Sequence, residues 1–121
     1  MKYGKKTIVF DLDHTICIPG EEPDTHERYA LAKPIESTIK HMRKLKEDGY
    51  YITILTARRM VTHDGNISKI LEDVEDITMS WLERHDVPFD EFVWGKPWCA
   101  TYYVDDKAMN IEDFEKWMSR S

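Results

Sequence analysis

The sequence of 121 residues is poor in cysteine, holding only Cys17 and Cys99. Two cysteines in a chain with a good core do not point to a disulfide framework, and reduced cytosolic thiols are expected. Long hydrophobic runs are also missing, and no stretch approaches the roughly 20 apolar residues of a membrane helix. The basic start, Met1-Lys2-Tyr3-Gly4-Lys5-Lys6, leads only into Thr7-Ile8-Val9-Phe10, which is too short for a signal peptide. A cytoplasmic protein with no membrane partner is expected. Positive charge is scarce: 17 Lys and Arg stand against 23 Asp and Glu, a net charge of -6. That balance argues against a nucleic-acid partner, because phosphates are usually met by a basic surface. Repeats and low-complexity linkers are absent, as is any His and Cys cluster at zinc-ligand spacing.

What is present is an alternation of strands and helices within one domain spanning residues 1–121. Residues 6–11 and 51–55 are short, apolar and rich in β-branched side chains, as buried strands are. Residues 91–94 and 101–104 read as two further strands. Between the first two, Ile35, Ile39, Met42 and Leu45 recur on one helical face, from Pro34 to the stop at Gly49. A second helical period carries Ile67, Ile70, Leu71, Val74, Ile77, Trp81 and Leu82. Asn110 is placed to cap a last helix with Ile111, Phe114 and Trp117 on its inner face. Strands joined through helices imply an α/β fold with a parallel sheet covered on both faces. Residues of about 16–31 read as a flap and 57–66 as a polar loop.

The chemistry-bearing residues all follow strands. The first strand runs into Asp11-Leu12-Asp13-His14-Thr15, two carboxylates at the end where open α/β sheets bind ligands. One carboxylate can attack phosphorus while the other handles a proton. Alone, the string is equally well a solvated acidic turn. Thr56 ends the second strand, where a hydroxyl beside backbone N–H groups can grip a phosphoryl oxygen. Lys96, held between Gly95 and Pro97, can stabilise charge on a transferring phosphoryl group. Asp105 and Asp106 follow the fourth strand, and adjacent acids there suit Mg²⁺ better than stability, since like charges repel. Arg58, Arg59, His63 and Asn66 lie on the loop after Thr56, with Arg58 best placed to read a leaving group. His26 on the flap reads as exposed and idle, and His41 and His85 as solvated.

Taken together and in this order, the motifs resemble the haloacid dehalogenase-like superfamily: Asp11-Leu12-Asp13-His14-Thr15, then Thr56, Lys96 and Asp105-Asp106. The resemblance implies a Rossmann-like three-layer α/β/α core with a short parallel sheet of order 3-2-1-4, the first strand central. It implies phosphoryl transfer through an aspartyl-phosphate on Asp11, with Asp13 as acid and base and Thr56 and Lys96 on the phosphoryl oxygens. Mg²⁺ would be held by Asp11, Asp13 and Asp105, with Asp106 in support, and substrate by Thr15, Ala57, Arg58 and Trp98. An acid at position 13 points to phosphate esters. His14 stands where the family usually has glycine. Asp11 and Thr56 are 45 positions apart, and Thr56 and Lys96 are 40 apart, so no cap domain fits in either gap. Capless members act on large substrates or close their sites by forming homo-oligomers.

Tyr29-Ala30-Leu31-Ala32-Lys33-Pro34, the Gly65-Asn66 loop, Gly95-Lys96-Pro97-Trp98-Cys99 and Tyr103-Val104-Asp105-Asp106-Lys107 are similar to the small phosphatases of capsular polysaccharide biosynthesis. That implies a small phosphorylated substrate, a sugar or polyol phosphate. Three rivals remain: a phosphatase of nucleic-acid 3′ ends, a receiver-like signalling domain, and a non-catalytic binding module, which the complete motif set disfavours most. The second is disfavoured because receivers place the acidic pair first and the acceptor later.

Overall fold

The structure is a computed structural model and describes residues 4, 6–23 and 26–120. Most of the basic start and positions 24 and 25 of the flap lie outside the described residues. Five strands and four helices follow one another: β1 (Thr7–Asp11), β2 (Cys17–Ile18), α1 (Glu27–Ala30), β3 (Lys33–Pro34), α2 (Glu36–Glu47), β4 (Tyr51–Thr56), α3 (Ile67–Arg84), β5 (Glu91–Trp94) and α4 (Ile111–Ser119).

The main sheet is parallel and runs β1-β4-β5. Asp11 is paired with Leu55, and Thr56 with Trp94, so the three strands end nearly level. β4 sits between the others and is the most buried, as its Ile52, Thr53, Ile54 and Thr56 show. Ile8, Phe10, Ile52 and Ile54 present one face to a core shared with Ile39, Met42 and Leu45 of α2 and Phe114 of α4. The rings of Phe10 and Phe114 meet edge to face at 5.3 Å, which fixes the last helix against the first strand.

The helices follow their sequence signals. α2 starts just after Pro34 and stops before Gly49, which takes φ +94°. α3 is continuous, and its N-cap is Asn66, whose side chain accepts from the Lys69 N–H. Asn110 caps α4 in the same way, through the Asp113 N–H at 2.8 Å. A two-stranded antiparallel flap, β2 with β3, leans on the core through Ala32, whose carbonyl accepts from the Trp81 indole. Among the described residues, no helix is long and apolar enough to cross a membrane.

Two expectations fail here. The segment Thr101–Val104 is not a strand, and every residue from 100 to 110 is exposed. β1 therefore pairs with β4 alone among the described residues and stands at the sheet edge, not its centre. The order 3-2-1 is present but the fourth position is not filled. The second face of the sheet is likewise uncovered at β1, where Val9 is 55% exposed. Length is not the cause, since β5 also has four residues at an edge. The difference is burial: all of β5 is at least partly buried, whereas Val104 is 97% exposed.

Burial separates the two faces experimentally. Ile54→Ala should lose about 2–5 kcal/mol of stability, and Val9→Ala no more than about 0.5 kcal/mol. Urea unfolding of the two variants checks this; equal losses would mean that the outer face of β1 is covered in solution.

Candidate active site

The site gathers at the carboxyl ends of β1, β4 and β5. Asp11 closes β1, and Lys96 lies just past β5, with its Nζ 3.4 Å from Asp11 Oδ1. Two backbone bonds hold that lysine in place. The N–H groups of Gly95 and Lys96 both donate to the Thr56 carbonyl, at 3.2 and 2.9 Å. The bend needs glycine, since Gly95 sits at φ +99° and a Cβ there would lie 3.0 Å from Ile67 Cδ1. Lys96 Nζ also stands 4.2 Å from the centre of the Tyr103 ring, a cation–π contact that limits its wandering.

Asp11 is half-buried. Burial pushes its carboxyl above the usual carboxylate range, while the charge of Lys96 and hydrogen bonding to Leu12 and Lys96 hold the rise in check. An oxyanion in poor solvent beside one cation is a strong nucleophile for phosphorus.

The loop after Asp11 turns sharply around Leu12. The buried Leu12 carbonyl accepts from the N–H groups of Thr15, Ile16 and Cys17. His14 takes φ +67° and donates its N–H to the Cys17 carbonyl at 2.7 Å. The backbone at position 14 is thus left-handed, which histidine tolerates better than most residues. The turn brings Asp13 toward Arg58. Nε of Arg58 donates to both Asp13 oxygens, at 3.2 and 3.0 Å, and Nη2 donates to Oδ1 at 2.8 Å.

Thr56 is buried, and its hydroxyl accepts from the Arg58 N–H at 3.1 Å, keeping a proton to donate. Thr15 and Ala57 are half-buried along the same rim. Arg58 does not face it. Its side chain is 1% exposed and turned inward onto Asp13, because a buried guanidinium needs partners for its donors. Burial alone would lower its pKa, but the Asp13 carboxylate raises it.

Three-quarters of the chain, residues 6–96, matches the polynucleotide kinase 3 phosphatase family. The chain belongs to that family. It is haloacid dehalogenase-like, so the superfamily and the coarse reaction class, a phosphatase-type hydrolase, follow. The crystal structure of an MCSG target from Vibrio cholerae is similar, with a TM-score of 0.77 and 34% identity over 95% of this chain and 98% of that one. Among curated proteins nothing matches. The family match holds Asp11, Asp13, Thr56 and Lys96 and stops short of Trp98, Asp105 and Asp106.

Those last three residues stand apart. Trp98 is 60% exposed. Asp105 and Asp106 are exposed on the irregular stretch, with Asp105 accepting from the Lys107 N–H in a local turn. The acidic pair is not gathered with Asp11, because the strand expected to carry it there has not formed. Among the described residues, no three His, Cys, Asp or Glu side chains are grouped to hold a metal ion.

Sequence reasoning missed two sets of contacts. His26 is exposed but not idle: its Nε2 lies 2.5 Å from Asp73 Oδ1, and His63 Nε2 lies 2.8 Å from the other oxygen. Burial pushes the Asp73 carboxyl up, yet the two histidine bonds and Arg59 outweigh it and leave its pKa below the usual range. His41 meets Glu115 at 2.9 Å, and the His85 ring lies 4.3 Å from the Trp81 ring, so neither is simply solvated. The second set is Tyr29 and Thr78, both against Arg58. Thr78 was legible as the one hydroxyl on the buried stripe of α3.

Since the folded state raises the pKa of Asp11, its ionisation costs stability. The native state keeps its full stability below the ordinary carboxylate range and loses part of it as pH climbs through the raised value. Asp11→Asn should therefore melt higher than wild type at neutral pH in EDTA, with the gap closing on acidification below about pH 4. A variant no more stable at neutral pH would mean that Lys96 fully compensates the burial.

Proposed function

We propose that this chain hydrolyses phosphomonoesters through a phosphoryl group carried on Asp11, and that its substrate is a 3′-phosphorylated nucleic-acid end. The observation that carries the chemistry is the Asp11–Lys96 contact at 3.4 Å, on a rim that also bears Thr56 and Asp13. An Asp11 oxygen attacks phosphorus, and the P–O bond to the leaving group breaks. Asp13 gives the departing oxygen its proton. Asp13 then takes a proton from water, which attacks the aspartyl-phosphate and releases inorganic phosphate with Asp11 restored. The Thr56 hydroxyl and Lys96 ammonium bind the phosphoryl oxygens as charge shifts onto them.

Mg²⁺ belongs to this reading. The donors fit a lightly held ion, since Mg²⁺ takes one or two carboxylates and fills the rest with water and phosphate oxygens. Asp11 and the Asp13 carbonyl would hold it. Asp105, supported by Asp106, would join if Thr101–Val104 paired along the open edge of β1. The ion would neutralise phosphoryl charge.

Membership in the polynucleotide kinase 3 phosphatase family supports a nucleic-acid end as substrate. So does the rim, where a four-residue helix and a two-stranded flap stand in place of a cap. The second reading is a sugar or polyol phosphate used in capsule precursor synthesis. The net charge of -6 favours it, because it weakens attraction for a polyanion.

Turnover of an oligonucleotide 3′-phosphate, its 5′-phosphate isomer and a panel of sugar phosphates, each with Mg²⁺ and with EDTA, separates the readings. We expect a preference for the 3′-phosphate of at least about tenfold in kcat/KM, worth about 1.4 kcal/mol. We also expect apparent affinity to fall as salt rises, and no turnover in EDTA. A sugar phosphate preferred by a similar margin, with no salt dependence, would establish the second reading instead.

A further inference from the structure

Arg58 is surrounded on every side. Asp13 occupies Nε and Nη2. On the far side, Nη1 donates to Thr78 Oγ1 on α3 at 2.9 Å. Nη2 also lies 3.6 Å from Cys17 Sγ. The Tyr29 ring, on the flap helix, covers the guanidinium with its centre 4.3 Å from the central carbon. Asp13 differs in one respect. Its side chain is 23% exposed, so it reaches the rim while Arg58 does not.

A planar fork gripping both oxygens of a carboxylate fixes the plane of that carboxylate as well as its place. Oδ1 is taken up by Nε, Nη2 and the Cys17 thiol at 3.5 Å, whereas Oδ2 accepts only from Nε and keeps a lone pair for a proton. A proton-transfer group needs such fixing, because it must lie within hydrogen-bond reach of one substrate atom. The loop itself does not supply it: Asp13 sits in a tight turn beside the strained His14.

We propose that Arg58 is a positioning residue for Asp13 rather than a contact for substrate, and that Thr78 and Tyr29 hold Arg58 in that role. The proposal rests on the reading of Asp13 as the group that protonates the leaving oxygen. It gives α3 and the flap a part in the chemistry without contact with the phosphate. Thr78 holds the fork from behind, and Tyr29 caps it from the flap.

The test is a series of phosphomonoesters with leaving groups of increasing basicity, from p-nitrophenyl through phenyl to alkyl phosphate. Asp13→Asn should lose about 10²- to 10⁴-fold in kcat on the alkyl ester and far less on p-nitrophenyl phosphate. Arg58→Ala should follow the same trend with KM little changed, and added guanidinium ion should restore part of kcat. Thr78→Val should lose about fivefold on the alkyl ester, the worth of one hydrogen bond, and Thr78→Ser should stay close to wild type.

Thr78→Val and Thr78→Ser keep the proposal testable even if Arg58→Ala fails to fold. An Arg58→Ala variant with KM raised equally on every ester would overturn the proposal in favour of substrate binding. Thr78→Val losses that ignore the leaving group would overturn it too. If Asp13→Asn lost activity equally across the series, the acid role itself would fall, and the proposal with it. A trend in Asp13→Asn that is missing in Arg58→Ala would remove the positioning role alone.

Discussion

Parallel pairing of β1 with β4 is the constraint on which the site depends. It sets Asp11 opposite Leu55, so two strands 40 residues apart in sequence finish on one rim. Thr56, one residue further, then offers its carbonyl to Gly95 and Lys96 and its hydroxyl to Arg58. A slip of one residue would turn Phe10 out of the core and Asp11 into it. The register is therefore fixed by burial of Ile8, Phe10, Ile52 and Ile54, and the chemistry inherits its geometry from that core.

The rim carries a built-in conflict. Asp11 is drawn out of water, which raises its pKa and costs stability, and Lys96 offsets only part of the cost. His14 adds strain in a left-handed backbone. Strain and poor solvation at one place are tolerable because α2, α4 and β4 form a dense core elsewhere. Such trade-offs between stability and activity are common at catalytic centres.

Much of this was legible in the residues. Apolar runs of four to six residues located β1, β4 and β5, and the helical periods located α2, α3 and α4, with Asn110 read correctly as a cap. Residues following each strand could be assigned to a common rim because parallel strands share a direction. The contacts of Arg58, His26 and Tyr29 were not legible, since they join the flap to a loop and a helix far away in sequence. Thr101–Val104 was misread for a different reason. Its β-branched and aromatic composition matches a strand, but composition does not supply a pairing partner or a second buried face. Asp105 and Asp106 were carried along by that error, and their placement beside Asp11 remains an expectation tied to the open edge of β1.

The central claim is that Asp11 itself carries the phosphoryl group. Acid quenching during turnover, borohydride reduction and peptide mass spectrometry test this most directly, since reduction turns an aspartyl-phosphate into homoserine. The account predicts homoserine at position 11, absent without substrate and absent from Asp11→Asn. Homoserine at another aspartate, or turnover by Asp11→Asn at the wild-type rate, would contradict it.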